Sequence, residues 1–150
     1  MQLTERFSLE ALIASESAAR FGIDNTPPEA LIPNVRRLAL SLERVQMVLD
    51  GKLITILSGY RCKELNQRIG GSKHSMHMQG LAADIICPRF GSPLEVCRAI
   101  AAANLGVDQI IHEFGKWCHV GWALTGAPSR NELLTIAKAE TGYEAGLRTV

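Results

Sequence analysis

Two periods of apolar and polar positions run along this chain, and one gives way to the other near residue 51. From Ser8 to Arg20, Leu9, Leu12 and Ile13 followed by small alanines recur at helical spacing, with Ser8 as N-cap, so one helix is predicted there. Asp24-Asn25-Thr26-Pro27-Pro28 breaks the chain, because paired prolines can open a helix but cannot continue one. A longer helix is predicted over 33–49, with Leu38, Leu42, Val45 and Leu49 on one side and Arg36, Arg37, Glu43 and Arg44 mostly solvated. Asp50-Gly51 ends it, the glycine suiting a left-handed cap.

Beyond this point the elements shorten. Lys52 to Leu57 is β-branched and bounded by turn residues, which predicts a strand; Cys62 to Ile69 reads as a short helix and Gly70 to Gly80 as a polar loop. Leu81 to Cys87 is a second strand, ended by Pro88. Ser92-Pro93-Leu94-Glu95 is a capping box that opens a helix to about residue 104. Val107 to Phe114 and Trp117 to Trp122 read as strands of a hairpin across Gly115-Lys116. A last helix is predicted over Asn131 to Ala139, and the tail from Glu140 carries no clear pattern. This order predicts an α+β fold, a mostly antiparallel central sheet with helices packed on it. It is read as a single domain over 1–150, helical in 1–51, carrying its chemistry in 52–122 and closing with a helix and tail in 123–150.

Composition narrows the classes. The 150 residues are 47% hydrophobic and 21% charged, which supports a globule with a real core and excludes a disordered chain, a collagen-like fibre or a coiled coil. Sixteen basic against fifteen acidic residues give a net charge of +1, so no field draws the chain to nucleic acid or anionic lipid. The cysteines Cys62, Cys87, Cys97 and Cys118 form no C-x-x-C pair and read as free thiols of a reducing compartment. No basic segment followed by an apolar run opens the chain, and no stretch reaches the ~18 apolar residues of a membrane helix. The expectation is cytoplasmic synthesis, no membrane insertion and a monomer, with any work outside the cell depending on another export route.

Candidate chemistry gathers in Ser75-Met76-His77-Met78-Gln79-Gly80-Leu81-Ala82-Ala83-Asp84. Strand alternation sends Gly80, Ala82 and Asp84 to one face, where small residues leave space above a carboxylate that needs a partner. His119, within Trp117-Cys118-His119-Val120-Gly121-Trp122, adds a second imidazole in an apolar strand. Two histidines and one carboxylate form a catalytic zinc set, with one position kept for water. Such an ion lowers the pKa of that water from ~15.7 toward ~7. Taken singly, each residue has a plain alternative: a backbone-bonded Asp84, a surface His77.

The pattern Ser75-x-His77-x-x-Gly80-x-Ala82-x-Asp84 with Trp117-x-His119 resembles the zinc D-Ala-D-Ala carboxypeptidase family. That family includes phage endolysins that cut peptidoglycan stem peptides and D-alanyl-D-alanine dipeptidases, and hedgehog signalling domains share its fold. Ser58-Gly59-Tyr60-Arg61, Leu65-Asn66, Gly70-Gly71-Ser72, Asp108-Gln109 and Glu113-Phe114 match in order and spacing. Phe7-Ser8-Leu9-Glu10 and Ile23-Asp24-Asn25-Thr26-Pro27 resemble phage and prophage members. The resemblance implies zinc held by His77, Asp84 and His119, Arg61 on a substrate carbonyl or carboxylate, and Ser75 and Trp117 along the substrate cleft. The implied substrate is a peptidoglycan stem peptide, cut after release of the protein in a phage or prophage setting.

One position departs from the pattern. Several relatives carry a glutamate three residues before the last histidine, where this chain has Lys116. Glu113 is the nearest carboxylate and the expected general base, with His112 as the alternative. A two-residue turn at Gly115-Lys116 would set His112 opposite His119 and turn Glu113 away with Cys118. One more loop residue reverses that assignment. The departure also leaves open a zinc-containing module that binds peptide without cutting it.

Overall fold

The computed structural model describes residues 1–150. The first predicted helix is two: α1 (Leu9–Ile13) and α2 (Glu16–Phe21). Ser15 explains the break, because its side chain accepts from the Ala18 amide and so starts a new helix where the pattern alone ran on. The long helix α3 (Ile32–Val48) buries Val35, Leu38, Ala39, Leu42 and Val45, as its periodicity demands. Beyond it come β1 (Thr55–Ser58), α4 (Lys63–Arg68), a 3-10 turn (Met76–Gln79), β2 (Ala82–Ile86) and α5 (Pro93–Ala102). The hairpin strands are β3 (Gln109–Glu113) and β4 (Trp117–Gly121), followed by β5 (Glu132–Ile136) and β6 (Tyr143–Ala145).

All six strands form one sheet in the order β1-β2-β4-β3-β5-β6. Every neighbouring pair is antiparallel except β3 with β5. The α+β architecture with a mostly antiparallel sheet therefore stands. Ala83, Ile85, Ile110, Cys118 and Val120 point to one face and join α3 and α5 in a core cluster of 21 buried residues. The opposite face carries Ala82, Asp84, His119 and Gly121, small or polar and all buried, with the Met76–Gln79 turn packed beside β2.

The helix predicted over Asn131 to Ala139 is instead β5, so the C-terminal part of the chain is two strands and not a helix and tail. Its residues favour a helix in isolation, but β3 would otherwise be an unpaired edge. The Asp108 carboxylate grips Arg130 through Nε and Nη2 at 3.1 and 2.8 Å, and the Glu132 amide donates to the Asp108 carbonyl. These bonds launch the segment alongside β3, where Leu133 meets the core and Thr135 is buried. Tertiary pairing outweighs a local preference of a few tenths of a kcal/mol per residue. No helix is long and apolar enough to cross a membrane, and all four cysteines are free thiols.

Candidate metal centre

Register brings the expected residues together. Asp84 of β2 lies directly opposite His119 of β4, so their side chains leave the sheet on the same face. His77 comes from the 3-10 turn just before β2, whose entry Ser75 caps by accepting from the His77 amide. Gly80 ends that turn at φ +69°, a left-handed conformation that aims the chain back into β2, and a Cβ there would meet Val35 Cγ2 at 2.8 Å.

Three atoms converge: His77 Nε2 lies 3.2 Å from His119 Nδ1 and 3.3 Å from Asp84 Oδ1, with His119 Nδ1 and Asp84 Oδ1 3.0 Å apart. All three residues are buried. His77 Nδ1 donates to the Gly59 carbonyl at 2.7 Å, which leaves Nε2 without a proton and its lone pair aimed at Asp84 Oδ1. A single proton can serve the Asp84–His119 contact but leaves those two acceptors facing each other in a buried space. One cation satisfies all three lone pairs. The spacing fits as well, since ligands ~2.0–2.1 Å from a tetrahedral ion lie ~3.3–3.4 Å from one another. The residues present thus fit a divalent metal such as zinc.

The surrounding charges agree. Burial alone would raise the Asp84 pKa, but His77 and His119 outweigh it and hold the carboxylate ionised far into acid. Burial lowers His77, partly offset by Asp84, while for His119 burial is the largest influence but the hydrogen bond to Asp84 and the charges of Asp84 and Glu113 together overcome it and raise its pKa.

Glu113 resolves the parity question. The hairpin loop has three residues, Phe114 to Lys116, with Phe114 at φ +59° and Gly115 at φ +67°. Glu113 therefore pairs with Trp117, Ile111 with His119, and His112 with Cys118. Glu113 shares the metal-centre face, its Oε1 3.8 Å from His119 Nδ1. Burial, then the charge of Asp84, pushes its pKa up to about 7 despite His119 and Arg61. His112 faces away and its Nδ1 bonds the Arg148 carbonyl at 2.8 Å, so it cannot reach the centre. Lys116 lies exposed in the loop.

Arg61 is held from its backbone. Its amide donates to the His77 carbonyl at 3.0 Å, and the buried Asn25 amide group bonds both flanking residues, Tyr60 O at 2.9 Å and Cys62 N at 2.8 Å. Its guanidinium reaches only Ser75 Oγ, at 3.5 Å, and its Nε is buried without a partner. Burial lowers its pKa, against the pull of Asp84 and Glu113. Ser75 thus caps the turn and touches Arg61. Trp117 packs edge-on against Phe114 at 5.5 Å, and its buried Nε1 makes no close hydrogen bond but lies near enough to Glu113 to lower that carboxyl's pKa, while Arg61 keeps its Nε uncommitted.

Three contributors were not singled out from sequence. The Gly59 carbonyl orients His77, and Gly59 can be nothing larger because a Cβ would sit 2.2 Å from the Leu12 carbonyl. Asn25 is the second and Tyr143 the third. Tyr143 pairs with Ile136, itself opposite Glu113, so it stands on the metal-centre face. Gly59 and Asn25 lie within the Ser58-Gly59-Tyr60-Arg61 and Ile23-Asp24-Asn25-Thr26-Pro27 stretches, but a backbone acceptor, a long-range amide bond and a late strand give no local sign of their roles.

A model of the peptidase M15 family matches residues 5–121, and the chain belongs to that family of peptidases. The match spans the His77, Asp84, His119, Glu113 and Arg61 positions and stops before β5 and β6. No curated protein matches the chain.

Proposed function

We propose that this chain is a zinc peptidase that hydrolyses amide bonds in bacterial peptidoglycan stem peptides. The observation that carries the reading is the convergence of His77 Nε2, Asp84 Oδ1 and His119 Nδ1, with a protonatable carboxyl at Glu113 on the same face. Zinc bound to these three groups would supply a Lewis acid that acidifies water and polarises the scissile carbonyl.

The chain's own groups do the rest. Glu113 Oε1 takes a proton from the attacking water and delivers it to the leaving amine nitrogen, a task suited to a carboxyl poised near neutral pH. Arg61 donates from its guanidinium, whose Nε has no partner within the chain, to the carbonyl oxygen as negative charge develops there, and a planar, permanently charged fork in a buried site holds that charge well. The Gly59 carbonyl keeps His77 in the tautomer that faces the ion. Ser75 fixes the loop and the Arg61 tip, and Trp117 forms a wall of the substrate cleft beside Glu113. Glu113 in the metal-centre row supports hydrolysis over a module that binds peptide without cutting it, despite Lys116.

The protein acts as a monomer on the cell wall in a phage or prophage setting, synthesised in the cytoplasm and released through a partner channel or by lysis, as an endopeptidase of the endolysin type or as a D,D-carboxypeptidase. Metal analysis of the purified chain, paired with digestion of purified peptidoglycan before and after chelation, tests this reading. Stoichiometric zinc and chelator-reversible release of stem-peptide fragments are expected. Mass spectrometry of the fragments separates cross-link cleavage from loss of terminal D-alanine. Intact walls after digestion by the zinc-loaded chain would refute it.

A further inference from the structure

The sheet order gives the cleft a direction. Arg61 follows β1 at one edge, Asp84 stands on β2 with His77 in the turn before it, His119 stands on β4 and Glu113 on β3, and β5 and β6 complete the other edge. Across the cleft face one row runs Trp117, Glu113, Ile136, Tyr143 by direct pairing. Tyr143 is largely exposed, so its ring is not a core element. Its hydroxyl has no hydrogen-bond partner within the chain, and the register that sets Tyr143 beside Ile136 and Ile136 beside Glu113 places the residue on the metal-centre face; burial, then the charges of Glu113 and Asp84, raise its pKa, in keeping with that placement. The row is held firmly: Thr135 Oγ1 donates to the Gly146 carbonyl at 2.8 Å and accepts from the Arg148 amide at 2.9 Å, clasping the end of β6 onto β5.

We infer that Tyr143 is a substrate-contacting residue on the leaving-group side, its hydroxyl donating a hydrogen bond to a main-chain carbonyl of a peptide that extends beyond the scissile amide. The inference rests on the peptidase reading above. Glu113 hands its proton to the leaving nitrogen, so the leaving group departs over Glu113, and the next side chains in that row are Ile136 and Tyr143. An apolar ring with a free donor at its tip suits a peptide backbone running across the strands. The strand that carries it lies outside residues 5–121, which the family model matches.

The test compares two substrates with the full, zinc-loaded chain: a cross-linked stem-peptide dimer, which continues past the cut bond, and a monomeric pentapeptide ending in D-Ala-D-Ala, which leaves only one residue. Tyr143→Phe keeps the ring and removes the donor. Loss of one hydrogen bond raises KM for the dimer about 3- to 10-fold, with kcat within about twofold and no comparable change for the pentapeptide. Tyr143→Ala shows the same split, with zinc content and melting temperature unchanged. Calorimetry of the uncut dimer on Glu113→Gln, with and without Tyr143→Phe, reads the same contact without turnover. Unaltered KM and affinity for the dimer in both Tyr143 variants overturn the inference, as does an equal loss on both substrates. A parent that binds the dimer without cutting it, and loses affinity on Tyr143→Phe, upholds the contact while refuting the peptidase. A parent that neither binds nor cuts overturns both.

Discussion

Glu113 offers the sharpest quantitative test, because its burial makes a distinct stability signature in the metal-free protein. The carboxyl holds its proton up to about pH 7, against 4.5 for an unperturbed glutamate. Between those values the unfolded chain has released the proton and the folded chain has not, so stability falls as pH rises through that window. At about 1.36 kcal/mol per pH unit the loss comes to roughly 3 kcal/mol and is complete above about pH 7. Asp84, His77 and His119 also titrate and are common to wild type and Glu113→Gln, so the difference between the two proteins reads the Glu113 carboxyl together with its coupling to Asp84 and His119. Chelator-treated samples unfolded in urea at pH 4 to 8, followed by fluorescence of Trp117 and the buried Trp122, provide the measurement. Glu113→Gln should gain on wild type by about 3 kcal/mol from the acid end to the neutral end. Zinc places positive charge beside the carboxyl and should shrink that gain. A difference curve flat across the range would refute the placement of Glu113 in a dry, negatively charged environment, and with it the poised proton.

Other perturbations reach separate parts of the site. Asp84→Asn removes the only anionic member of the three-atom cluster, and the purified variant should lose zinc on dialysis against a chelator that wild type resists, read by metal analysis. Gly59→Ala drives a Cβ to 2.2 Å from the Leu12 carbonyl and so displaces the carbonyl that orients His77; zinc affinity should fall about 10- to 100-fold in competition titrations. Asn25→Ala deletes three bonds, to Ile13 O, Tyr60 O and Cys62 N, and strands buried backbone groups. A loss of about 2–4 kcal/mol in urea unfolding is expected, with kcat/KM lowered through a loosened Arg61.

Sequence alone determined much of this protein. The long helix and the hairpin strands were legible because each repeats its apolar positions at a period that only one backbone geometry can bury. His77, Asp84 and His119 were legible because a carboxylate and imidazoles among small and apolar residues call for a shared partner, and the family likeness ordered them. Local pattern could not decide the rest. Ser15 splits one helical run in two through a single side-chain bond. The Asn131 to Ala139 segment became a strand because β3 lacked a neighbour and Asp108 with Arg130 launched it there. Whether Glu113 or His112 faced the metal centre hung on one residue in the hairpin loop, since a shift of one place turns every side chain of a strand to the other face. Gly59 and Asn25 hold parts of the site from elsewhere in the chain, and Tyr143 reaches the same face from a late strand. Their positions follow from which surfaces pack and which strands pair, and a backbone carbonyl or a late edge strand leaves no trace in the residues around His77.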